Sequence, residues 1–112
     1  MLRRTLIVFG ITHSLVMLSM TIWSSLQDSI LNQAHLFQNA WFLATLLDTY
    51  LAFLLFYLWV FTVTPKWHFK LLHLIAIITL GNIIMGLYIA YRAYKMVHLQ
   101  SIKQFLTEVN DD

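Results

Sequence analysis

Residues 41–63 read WFLATLLDTYLAFLLFYLWVFTV, and the reading of this stretch decides the fold class. Its apolar side chains run around the whole helical circumference. There is neither the period-two alternation of a half-buried strand nor a polar stripe for solvent. At about 1.5 Å per residue the stretch spans about 35 Å as a helix, enough to cross a hydrocarbon layer of about 30 Å. A buried helix of a soluble protein can look the same once, so the flanking sequence matters. No Asp, Glu, Lys or Arg occurs from Thr5 to Gln27 or from Leu71 to Tyr91, and Asp48 is the one charge from Ser29 to Pro65. Three such segments in 112 residues leave no surrounding protein to bury them. The expected architecture is an all-α integral membrane protein, one membrane domain over 1–112, with three transmembrane helices near 6–26, 41–63 and 71–91.

Composition supports this class. Hydrophobic residues make up 60% of the chain and charged residues 11%, against about 25% charged in soluble domains. The net charge of +2 comes from basic residues at segment ends, so there is no nucleic-acid footprint. The absence of cysteine excludes disulfides, thiolate nucleophiles and thiolate metal sites. Trp23 and Trp41 bracket one interface, Trp59 and Trp67 the other, and Tyr88, Tyr91 and Tyr94 cluster at the end of the third segment. Pro65 ends the second segment, so TPKWHFK is a short turn and spans two and three are antiparallel.

Two amphipathic pieces complete the outline. Between spans one and two, Ile30, Leu31, Ala34 and Phe37 share a face, which fits a short helix on the membrane surface. In the tail 93–112, Leu99, Ile102, Leu106 and Val109 recur at helical spacing. No Gly or Pro separates the tail from span three, so one amphipathic helix is expected to run on, either solvated or holding a partner. Arg3 and Arg4 before an apolar run also resemble a signal peptide, but the long run and bulky Trp23 favour a retained helix. Three spans put Arg3, Arg4, Lys66 and Lys70 on one side and Arg92, Lys95 and Lys103 on the other. The excess of cations puts the N-terminus inside and the C-terminus outside, in a bacterium across the cytoplasmic membrane.

The candidate polar site is Asp48 with Thr45, Asn82 and His13. Asp48 lies seven residues beyond Trp41, about 10 Å below the interface. An aspartate at the centre of a bilayer costs about 2.5–3.5 kcal/mol on insertion scales, so it faces protein or water. It is either a structural hydrogen-bonding group or a proton or ion site. The expected packing residues are small: Ala44 beside Asp48, Gly86 and Ala90 with Thr79 and Asn82 on span three, and Gly10 and Ser14 on span one. His13 is a packed residue rather than a ligand, because no second histidine shares its depth. No metal or cofactor is expected. There is no paired-carboxylate motif, phosphate loop, HExxH or nucleophile elbow, so nothing argues for an enzyme.

Residues 39–50, NAWFLATLLDTY, resemble a family of uncharacterised multi-pass membrane proteins of plants and bacteria with an N-P-W-F-x-A-T-L-x-D-x-Y-like signature. Ala40 stands where that signature has proline. Trp59 and the region of Gly81 and Tyr88 are also similar, so the resemblance covers roughly the last two spans. It implies a helical membrane fold and no assigned activity. Two functions are therefore expected: a non-enzymatic subunit or assembly protein that meets other membrane helices and lipid, or an oligomer moving a proton or small solute past Asp48.

Overall fold

Why the chain turns where it does follows from its caps. The computed structural model describes residues 1–110, and these form helices only. Helix α1, Leu2–Gln27, ends where Asp28 turns extended (φ −162°, ψ 156°). The Asp28 carboxylate then organises the next turn, accepting from the Ser29 N–H (2.8 Å), Asn32 Nδ2 (2.9 Å) and Gln33 Nε2 (2.7 Å). A 3₁₀ helix follows over Ile30–Gln38. At three residues per turn Leu31, Ala34 and Phe37 fall on one ridge, and all three are exposed. Asn39 caps α2, Ala40–Val63, its Oδ1 accepting the Phe42 N–H at 3.0 Å. Thr64, before Pro65, is extended and ends the helix.

Helices α1 and α2 are long and apolar enough to cross a membrane. The expected third span is different. Instead of one helix over 71–91, the chain forms α3, Trp67–Leu80, and α4, Asn82–Lys95, which meet at Gly81. Each has 14 residues, about 21 Å, short of a hydrocarbon layer of about 30 Å. Gly81 has φ 52° and ψ −122°, a conformation open only to glycine. The Phe53 ring of α2 also covers it, with Cζ 2.6 Å from where a Cβ would stand. The chain reverses there. His73 and Tyr88, eight residues before and seven after, bring their rings to 5.3 Å.

This reversal corrects the up-down-up arrangement. Helix α4 returns to the end where α3 began and lies antiparallel to α1. Arg3 meets the Ala93 and Tyr94 carbonyls, and Ser14 meets that of Ile83. The expected continuous tail helix is also corrected. Helix α4 stops at Lys95, the chain turns, and α5 is only Ile102–Thr107. It folds back under the bundle because Phe105 is buried, Trp59 Nε1 donates to the Leu106 carbonyl (2.8 Å), and the Asn110 N–H donates to that of Val63 (2.8 Å). The last two positions of the predicted tail lie outside the described residues. The core sits in this half of the molecule: Phe53, Val60, Ile77 and Tyr88, with Phe56, Tyr57 and Trp59 packed around them. The other halves of α1 and α2 extend beyond the hairpin tip.

Candidate functional site

Helices α1 and α4 cross through the small residues expected to pack. A Cβ on Gly10 would stand 2.7 Å from the Ala90 nitrogen and in contact with the Gly86 carbonyl oxygen. A Cβ on Gly86 would stand 2.6 Å from the Gly10 carbonyl oxygen. The backbones therefore touch, as small residues on both faces permit. Buried Ser14 ties the pair, donating to the Ile83 carbonyl at 2.7 Å. Gly10, Ser14, Gly86 and Ala90 thus form one contact. Thr79, expected on the same stripe, lies beyond the Gly81 break and bonds to Ile75 within α3.

One turn from this crossing, His13 Nε2 and Asn82 Oδ1 lie 3.1 Å apart, with the Phe9 ring stacked on His13 at 6.0 Å. The antiparallel packing puts them at one level beside the hairpin tip. Asp48 and Thr45 are not part of this group. The α2 face turned to the hairpin runs through Phe53, Phe56 and Val60, whereas Trp41, Ala44 and Asp48, at helical spacing from one another, lie on a flank turned away from it and are all exposed. Asp48 is exposed and makes no hydrogen bond among the described residues. Thr45 donates to the Trp41 carbonyl of its own helix at 2.9 Å. Among the described residues, Asp48 therefore holds α2 to no other helix. Among the described residues, no three His, Asp or Glu side chains gather where a metal ion would sit.

Sequence reasoning missed a second polar centre at the base. Arg92 is 4% exposed, and its guanidinium donates to the Phe105 carbonyl (2.8 Å), to Asn110 Oδ1 (2.6 Å) and to the Glu108 carbonyl. The Trp59 and Phe105 rings flank it at 5.5 and 5.4 Å. A charged residue after an apolar span reads as an interfacial anchor, so only the fold-back of the tail reveals this role. The reversal at Gly81, with the tail folded back beneath it, gathers Arg3, Arg4, Lys66, Lys70, Arg92, Lys95 and Lys103 at one end, correcting their expected division between two sides. Asp28 lies at the opposite end. Its pKa is lowered by the Asn32 amide, the Ser29 N–H and the Gln33 amide.

Gly81 is the other residue whose role went unread. The Gly81-Asn82 dipeptide is a turn signal, but the apolar run on both sides hides it. Comparison of the chain with family models, curated proteins and solved structures finds no match.

Proposed function

We propose that this chain is an integral membrane protein that serves as a non-enzymatic subunit or assembly protein of a membrane complex. In this reading α1 and α2 span the bilayer, and α3 and α4 form a re-entrant hairpin that enters and leaves on the basic side. Irregular backbone at membrane depth is tolerated where protein covers it, and Gly81 is buried under Phe53. All Lys and Arg residues lie at one end, so the positive-inside rule puts both termini and the 64–66 turn inside and the 3₁₀ helix outside.

The observation that carries the reading is Asp48. Eight residues into α2 it sits about 12 Å along the helix, exposed and without a partner among the described residues. Lipid tails cannot satisfy it, so another helix or water in an assembly must. Ala44 and Ala52 flank it, and such small residues let a second helix approach. The segment resembling the uncharacterised family supplies this same face through Trp41, Ala44, Thr45 and Asp48, and we include that kinship in the proposal.

The test is affinity isolation in mild detergent of wild-type chain and of Asp48→Leu and Asp48→Asn. The expected result is a stoichiometric foreign complex that Leu abolishes and Asn retains, with the folding of the isolated chain unchanged in both. A homo-oligomer that Asn leaves assembled but inactive in deletion-strain complementation would move the protein to the second class, proton or solute translocation past Asp48. Because the chain lacks cysteine, single cysteines at Gln33 and Lys103 report the topology directly. Labelling from the same side would overturn the two-span arrangement.

A further inference from the structure

Resting on the membrane reading above, we infer that the basic end carries a binding site for the headgroup of an anionic phospholipid, in the furrow between the first turn of α1 and the 97–99 segment. Among the described residues the furrow is lined by Met1, Arg3, Arg4, Thr5, Val97 and Leu99, none of them a carboxylate. Arg3 is held in place: Nε donates to the Ala93 carbonyl (3.1 Å) and Nη2 to that of Tyr94 (2.7 Å), while the Tyr94 ring lies 5.5 Å from its guanidinium carbon. These bonds occupy one edge of the fork. Arg4 is exposed and makes no hydrogen bond among the described residues. Two arginines lining one furrow, one held in place and one without a hydrogen bond among the described residues, suit contact with phosphate oxygens.

The apolar part of the furrow separates a lipid from a free anion. Val97 is 67% exposed, and along α1 just beyond the arginines Val8 and Phe9 are also open, at 58% and 56%. A phosphate seated between Arg3 and Arg4 would send its acyl chains along these side chains into the bilayer. The furrow lies at the level of Tyr91 and Tyr94, exposed rings of the kind that favour headgroup depth. Its two walls come from opposite ends of the sequence, Met1 to Thr5 on one side and Val97 and Leu99 on the other, so the site exists only because α1 and α4 pack antiparallel.

The experiment is native mass spectrometry of the full chain released from nanodiscs of phosphatidylcholine mixed with phosphatidylglycerol. Wild type should retain phosphatidylglycerol preferentially. Arg4→Gln, which removes a group that makes no hydrogen bond among the described residues, should lower that retention about fivefold, the effect of one cation near an anionic headgroup. Lys66→Gln, the same charge change at the same end but outside the furrow, should leave it near wild type. Equal losses in the two variants would mean diffuse attraction with no site and overturn the inference. Displacement of the retained lipid by inorganic phosphate would assign the furrow to a free anion and overturn the lipid source. A chain that stays monodisperse with neither detergent nor lipid would instead overturn the membrane reading.

Discussion

Replacing Gly86 with alanine adds one carbon at the tightest point of the molecule. The new Cβ would stand 2.6 Å from the Gly10 carbonyl oxygen and 2.9 Å from the Ser14 nitrogen, and would collide with the Ser14 hydroxyl. Ordinary carbon contacts begin about 3.5 Å apart, so α1 and α4 must separate by nearly an ångström where both neighbours are backbone. Overpacking of this kind costs about 1–3 kcal/mol. The Ser14 hydroxyl must also leave the Ile83 carbonyl, a bond of 2.7 Å worth about 0.6 kcal/mol on average between membrane helices and up to about 1.7. Gly86→Ala should therefore lose about 2–4 kcal/mol of unfolding free energy, measured by titrating SDS into mixed micelles. Leu87→Ile, a volume-conserving change at the exposed neighbour, is the control. Gly10→Ala should cost a similar amount, and the double variant less than the sum, because helices already parted accommodate the second carbon. A Gly86→Ala protein as stable as the Leu87→Ile control would refute the backbone contact and with it the antiparallel seam.

The remaining expectations concern the turn, the tail and the loop. Gly81→Ala forces a side chain into φ 52° and should cost about 1–3 kcal/mol; Phe53→Ala in the same chain should not rescue it, since the strain is in the backbone, and rescue in the micelle titration would show that ring contact alone was at fault. Arg92→Leu leaves the Phe105 and Glu108 carbonyls and the Asn110 side chain without their donor. The tail should then be cleaved by added protease while α1 and α2 stay intact, and an unchanged cleavage rate would remove Arg92 as the latch. Asp28 has a folded pKa below the ordinary value, so its contribution is fully present above that ordinary value and is lost as pH falls through the lowered one. Amide hydrogen exchange in the Ile30–Gln38 segment should rise over that acid window, and Asp28→Asn should abolish the dependence.

Particular residues mark how far the sequence reads. Pro65, the bracketing tryptophans and the charge-free runs place α1 and α2 within a few residues of 6–26 and 41–63, because helix length and helix-stopping residues are local matters. The small-residue stripes that carry Gly10 and Gly86 were also legible, since small residues at helical spacing permit close approach whichever way the helices run, but which residue meets which was not. Hydropathy is blind to direction, however. The run 71–91 has the same composition whether it crosses the bilayer or reverses at its centre. The reversal depends on one glycine φ and on the Phe53 ring that covers it from another helix.

From that single turn follow the features only the tertiary structure decided. Helix α4 runs antiparallel to α1, His13 meets Asn82, and cations from residue 3 to residue 103 share one end. The sequence by itself determined which residues are apolar enough to leave water and where each long helix starts and stops. It also singled out Asp48 as a charge set deep in an apolar run. Which face of α2 carries Asp48 outward was settled by the packing of Phe53, Phe56 and Val60 against the hairpin. In an all-apolar helix every face is equally ready for burial, and only the shape of the neighbouring helices breaks the tie.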